Sequence, residues 1–323
     1  MLGFQRIRWT AGQYANVDGI PFEMPVASRN SPLMFACFGI DIDAAKNLMP
    51  GRELHPLRIW NRGVLAVEVI NYTDTPIGKY VEFCIGILCT RGKTAGPRLL
   101  PAMLMNLFGT GQYIYDLPVS SEISTKGGLG IWGMPKRQAN LDYQIGDDWV
   151  SSQYDLDGQM VMRLDVKRPS NTWLPVGIRG VGYGAFRGLF SKSYVHLHGQ
   201  AGFTLGSGGA RIALGTHPRA KALEPLRISP QPFISGFLPN PRGYLDDHVE
   251  TWFLTHREAP PVAAEGLREA VALGLSQDWL KPPNRVYGDE LIRARYETVK
   301  AKEPAPRTTV RGDNSLNAGA NGL

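Results

Sequence analysis

Apolar residues in this chain fall in short runs broken by glycine and proline, not in long stripes. Residues 33–40 (LMFACFGI), 63–72 (GVLAVEVINY), 80–90 (YVEFCIGILCT), 113–119 (YIYDLPV), 129–134 (LGIWGM), 139–145 (ANLDYQI), 160–166 (MVMRLDV), 193–206 (SYVHLHGQAGFTLG) and 209–215 (GARIALG) are rich in β-branched and aromatic residues. Turn chemistry such as TDTPIGK and GSGG separates them, so each reads as a strand. Helical periodicity predicts three helices. One lies in 41–50, capped by Asp41 or Asp43 and stopped by Pro50; the others lie in 260–275 and 288–302. The expected class is mainly β (α+β), an antiparallel barrel or sheet core with a few peripheral helices. One domain is expected over 1–302. Residues 303–323 contain almost no large apolar side chains and are expected to form a disordered tail, because burial there cannot offset ordering entropy.

Three charges interrupt this apolar pattern. Glu68 sits in a valine-rich run and Glu82 in a second apolar run. One glutamate on a half-buried strand ordinarily points to water. Alternation argues otherwise here: Val64, Ala66 and Ile70 share a face with Glu68, while Cys84 and Gly86 share one with Glu82. The third charge is Lys136, behind Trp132, Met134 and Pro135. If 129–136 is extended, Trp132, Met134 and Lys136 project to one side, and desolvation lowers the lysine pKa toward a free, nucleophilic amine. The alternative is a lysine that snorkels to solvent from a strand end.

The segment GIWGMPKRQANLDY resembles the Schiff-base lysine motif of the acetoacetate decarboxylase family. VEVINYTDTPIGKYVEF is similar to that family's paired-glutamate region, with Gly78, Tyr80 and Glu82 matching its glycine, tyrosine and glutamate. ACFGIDIDAAKNLMPGRELHP resembles its early strand and helix. The likeness runs roughly collinearly over residues 20–260. It implies the family's barrel, Lys136 as covalent nucleophile and Glu68 and Glu82 as acids of the pocket. It also implies Arg29 as the partner of a substrate carboxylate. Arg137, Trp132, Met134 and Tyr80 are further candidates for the substrate site, with core packing the alternative for Tyr80 and Trp132. The implied chemistry is Schiff-base decarboxylation of a small β-keto acid by a homo-oligomer, without cofactor or metal. Two departures stand out: Arg137 replaces a second lysine, and 93–112 reads as an insertion able to cap or reshape the pocket. They make a Schiff-base aldolase-dehydratase acting on a keto acid plus an aldehyde the main rival; a catalytically silent module that keeps the barrel and binds a small acid or lipid-like ligand is a third reading of another class.

The remaining composition narrows the classes. Of 323 residues, 43% are hydrophobic and 20% charged, with a formal charge of +6 spread along the chain and no nucleic-acid motif. That argues against a nucleic-acid partner and suits a small anionic substrate. Cys37, Cys84 and Cys89 form no CxxC pair and read as reduced core thiols. No apolar run reaches the roughly 18 residues that span a bilayer, and the first residues carry no signal-peptide core. A cytoplasmic protein without a membrane partner is expected. His196 and His198 lack a third ligand at fixed spacing, 199–215 lacks GxGxxG spacing, and Asp246, Asp247 and His248 read as a surface turn.

Overall fold

Seven strands close into a barrel. The computed structural model describes residues 12–169, 174–186, 188–255, 286 and 290–294. The chain divides into two units, Met1–Ala259 and Pro260–Leu323, and the barrel belongs to the first. Its strands are β1 (Leu33–Ile40), β2 (Gly63–Tyr72), β3 (Tyr80–Arg91), β4 (Gly111–Val119), β5 (Leu174–Phe186), β6 (Leu189–Leu205) and β7 (Pro232–Leu238). They pair in the ring order β5, β4, β3, β2, β1, β7, β6, and β6 returns to β5. All pairings are antiparallel except β4 with β5. Further strands extend the sheet at Arg242–Phe253, Val26–Ser28, Leu54–Pro56 and Lys136–Gln138. This is the mainly β barrel that the short apolar runs predict.

Register decides which side chains share the lumen. Leu33, Ile70 and Glu82 align across β1, β2 and β3, as do Phe35, Glu68 and Cys84, then Cys37, Ala66 and Gly86. The opposite face presents Val67, Val69, Phe83 and Ile85, which pack with Val150, Tyr154, Val161 and Leu164 of a second sheet. That sheet, built on Trp149–Leu156, Gln159–Lys167 and Ala210–Leu214, covers the barrel from outside. The face bearing both glutamates is therefore the inner one. Each fully buried aliphatic or aromatic side chain on the outer face contributes on the order of 2 kcal/mol.

Helices are few among the described residues. α1 (Ile42–Leu48) starts where Asp41 Oδ1 accepts the Ala44 N–H at 2.9 Å, as the capping pattern predicts. α2 (Leu100–Met103) lies in the β3–β4 connection and α3 (Glu122–Trp132) follows β4. Two expectations are corrected. Residues 129–134 are not a strand, since α3 runs through Trp132. Residues 246–248 are not a turn but part of the strand Arg242–Phe253. Residues 260–275 and 303–323 lie outside the described residues. Of 288–302 only 290–294 are described, and they are helical.

Candidate active site

A tight helix-to-strand reversal places Lys136. α3 ends at Gly133, whose φ of 64° is the left-handed C-cap conformation that favours glycine, and its N–H bonds the Gly128 and Leu129 carbonyls. Pro135 follows and discourages further helix. The chain then enters the short strand Lys136–Gln138, parallel to β4, with Lys136 opposite Leu117. The lysine stem crosses back over α3 at Gly128, where a Cβ would stand 2.3 Å from Lys136 Cδ. Only the missing side chain lets the amine pass.

The amine ends in a nest of polar groups. Lys136 Nζ donates to Glu82 Oε2 at 2.6 Å and to Ser124 Oγ at 3.0 Å. The Lys136 and Glu82 side chains are only 7% and 12% exposed. Nζ also lies 5.7 Å from the Tyr80 ring, which stacks on Tyr72 with centroids 4.5 Å apart. The Tyr72 hydroxyl donates to Glu82 Oε1 at 3.5 Å. Glu68 belongs to the same inner face, beside Cys84, and Gln112 reaches Cys84 Sγ at 3.2 Å. Gln112 lies across Gly86, where a Cβ would come 2.1 Å from its Nε2.

These contacts reverse the expected state of the lysine. Burial alone pulls the Lys136 ammonium down, but the Glu82 charge, the neighbouring Tyr80 and the hydrogen bond to Glu82 together leave its pKa raised above the ordinary lysine value. A dry site does not by itself yield a free amine when a carboxylate sits at hydrogen-bond distance. Glu68 is the group driven toward neutrality. Burial pushes it up to about 7; Gln112 and Cys84 hydrogen bonds hold it back and the Glu82 charge pushes further. Burial also raises Tyr72, with Glu82 adding to the effect.

Not every expected residue joins the cluster. Arg137 points the other way, as the residue after Lys136 in a strand must. Its Nε donates to Asp116 Oδ1 at 2.8 Å, and the Tyr154 hydroxyl donates to Asp116 Oδ2 at 3.2 Å. Arg219 lies 3.8 Å from the same carboxylate. Arg137 is thus an outer clamp on the Lys136 strand, not a lumen group. Trp132 and Met134 do not share a strand face with Lys136; they are buried with Met24, Cys84, Ile114 and Leu117. Arg29 is exposed, and its backbone N–H bonds the Asp74 carbonyl at 3.0 Å, just beyond the Tyr72 end of β2. The insertion at 93–112 leaves β3 after Arg91, about 30 Å of strand from Glu82; its body does not cap the lysine, and only its last residue, Gln112, already in β4, returns to the lumen beside Cys84 and Glu68. Sequence reasoning missed Ser124, Gln112 and Tyr72. Ser124 precedes Gly128 by four residues, one helical turn, a signal that shows only once 122–132 is read as a helix.

A family model described as acetoacetate decarboxylase matches residues 14–174, a span containing Glu68, Glu82 and Lys136. The chain belongs to the acetoacetate decarboxylase family. Solved members and relatives of this family share its fold. Acetoacetate decarboxylase from Legionella pneumophila superposes with a TM-score of 0.50 at 14% identity, covering 71% of this chain and 87% of its own. A further acetoacetate decarboxylase structure gives 0.50 at 14% identity over 79% of this chain and 99% of its own. The enduracididine biosynthesis enzyme MppR, complexed with pyruvate, gives 0.50 at 14% identity over 70% and 90%. These family neighbours are enzymes. No curated protein matches the chain. Among the described residues there is no cluster of histidine, cysteine or acidic side chains that would hold a metal, and no helix long and apolar enough to cross a membrane.

Proposed function

We propose that this chain is a carbon–carbon lyase that decarboxylates a small β-keto acid through a Schiff base on Lys136. The observation that carries the reading is the buried contact of 2.6 Å between Lys136 Nζ and Glu82 Oε2, inside a barrel that also holds Glu68. Proton transfer from Nζ to Glu82 releases the amine where a ketone would bind. The amine adds to the carbonyl carbon, and the adduct's hydroxyl leaves as water after taking a proton from a carboxylic acid. Glu68, pushed up to about 7, carries such a proton at neutral pH, as a general acid requires. The resulting iminium accepts the electron pair of the breaking bond as carbon dioxide departs. The enamine is then protonated at carbon, and water hydrolyses the imine back to Lys136 and product. On this reading Arg29, exposed beyond the Tyr72 end of β2, supplies the cation for a substrate carboxylate. Tyr80 forms a wall of the amine site, and the cluster of Trp132 and Met134 backs it through Cys84.

Aldol condensation and dehydration is the second reading, supported by a neighbour whose structure contains pyruvate. Of the two sequence features that had favoured it, Arg137 faces away from the lumen, and the insertion leaves from the far end of β3 and reaches the site only through its last residue, Gln112, beside Glu68 and Cys84. Borohydride reduction in the presence of acetoacetate or pyruvate tests both. The expected result is a mass adduct on the Lys136 peptide, absent from Lys136→Arg; no adduct with any keto acid refutes the Schiff base. Carbon dioxide released from acetoacetate alone supports the lyase, whereas product formed only from pyruvate plus an aldehyde replaces it with the aldolase.

A further inference from the structure

The connection between β3 and β4 carries an apolar stripe on the wrong side. A surface helix normally turns its apolar face to the core. Here Leu100, Met103, Leu104 and Leu107 stand at i, i+3, i+4 and i+7 in sequence, the first two in α2 and the others in the turns behind it, Leu104 having left the helical conformation at φ −114° and ψ 54°. The turns continue past α2, since the Leu104 N–H bonds the Leu100 carbonyl at 2.9 Å and the Leu107 N–H bonds the Leu104 carbonyl at 3.0 Å. Yet all four are exposed, Met103 at 79% and Leu107 at 76%. The buried side is supplied instead by Pro101 and Thr110, joined by a hydrogen bond of 2.8 Å from Thr110 Oγ1 to the Pro101 carbonyl. Other contacts hold the lobe in this attitude. Leu99 N–H bonds the Arg58 carbonyl at 3.1 Å, and Arg179 donates to Asn106 Oδ1 at 3.1 Å. The stripe is therefore presented by a braced scaffold, and a contiguous exposed apolar patch of this kind marks an interaction surface.

Charge selects the occupant. Between Arg91 and Asp116 the chain has Lys93 and Arg98 and no acidic residue. Lys93, Arg98 and Arg179 are exposed around the lobe. Of the nearby carboxylates, Glu250 is engaged by Lys192 and Arg91, and Glu53 accepts the Thr255 hydroxyl. A second copy would bring the same cations against themselves, which opposes association. Apolar side chains ringed by lysine and arginine match the interface of an anionic bilayer, where the apolar stripe enters the headgroup boundary and the cations meet lipid phosphates. We infer that the Leu100–Leu107 lobe is a peripheral docking surface for anionic lipid membranes. The expectation of no membrane partner rested on spanning segments, and a docked lobe needs none.

Flotation of the full chain with vesicles tests this. Vesicles containing about a third phosphatidylglycerol should carry the protein upward, pure phosphatidylcholine vesicles should carry far less, and high salt should release it. Met103→Asp combined with Leu107→Asp should lower binding at least about tenfold, with an unchanged melting temperature because both side chains are exposed. Lys93→Gln combined with Arg98→Gln should lower it several-fold. Absence of flotation, or equal binding by the aspartate variant, overturns the inference. So does sedimentation in which the native chain is an oligomer that the aspartate variant disperses, since the stripe then faces a second copy.

Discussion

Replacing Glu82 by glutamine keeps the shape of the Lys136 site and removes its countercharge. The ammonium is 7% exposed and its carboxylate partner 12%, so little water is available to take the partner's place. Removing one member of a buried pair typically costs about 3–5 kcal/mol. An independent ceiling comes from the lysine itself, which can shed its proton when no anion holds it. Bringing a lysine of ordinary pKa, about 10.4, to the neutral form at about pH 7 costs roughly 4.6 kcal/mol, at 1.36 kcal/mol per unit. The two figures agree, so E82Q should be destabilised by about 3–5 kcal/mol at neutral pH. The pH dependence follows in sign. In the native chain the Lys136 pKa is raised, so its contribution is full below the unfolded value and is lost only as pH climbs through the folded one. Stability attributable to this site is then flat from about pH 7 to 10. In E82Q the folded lysine is neutral while the unfolded chain binds one more proton, so stability increases with pH by about 1.4 kcal/mol per unit until about 10.4. The gap between the two proteins should therefore shrink by that amount per unit in urea unfolding curves recorded at several alkaline pH values. Amine-selective labelling read by mass spectrometry should reach Lys136 faster in E82Q at neutral pH, while turnover falls because the proton acceptor is gone. A gap below about 1 kcal/mol, or one independent of pH, would refute the claim that Glu82 holds the lysine charged.

Other expectations follow from the same geometry. Glu68, pushed up to about 7, makes the native state hold one proton more than the unfolded chain between about pH 4 and 7, so stability falls across that window by up to about 3 kcal/mol. Glu68→Gln should abolish that fall and remove a group titrating near neutrality from the pH profile of kcat, both measurable by unfolding and steady-state kinetics. Gly128→Ala should gain about 1 kcal/mol of helix propensity, yet its methyl would occupy the path of the Lys136 stem; borohydride trapping should drop at least about tenfold with the fold intact, and unaltered trapping would show that the stem can move aside. Asp116→Asn removes the anion between Arg137 and Arg219, whose side chains are 30% and 35% exposed and regain water, so the melting temperature should reflect a loss of only about 2 kcal/mol, with slower trapping at Lys136 as its strand loosens.

Much of the barrel is legible in the chain because residues 33–40, 63–72 and 80–90 have the length and β-branched content of strands, and because Asp41 announces α1. Alternation also places Glu68 and Glu82 on apolar faces. What alternation cannot supply is register, and register alone tells that Ile70 faces Glu82 and that Glu68 faces Cys84. α3 escaped for a related reason. Gly127, Gly128 and Gly130 weaken its helical signature, but each answers a neighbour distant in sequence: Phe22 fills the space at Gly127, Val17 at Gly130 and the Lys136 stem at Gly128. A helix written for tertiary fit looks like a loop when read alone. The charge state of Lys136 was hidden in the same way. Its apolar neighbours Trp132 and Met134 are visible in sequence and argue for a depressed pKa; the carboxylate 54 residues upstream is what decides the sign. Lysine and glutamate at 2.6 Å form a neutral unit, and that is the form in which a barrel can keep an amine dry at modest cost. On the proposed chemistry the nucleophile exists only after one proton crosses that distance, so the reactivity of Lys136 is governed by how readily Glu82 accepts it. Glu68, denied a cation of its own by the same pairing, is left as the proton carrier of the site.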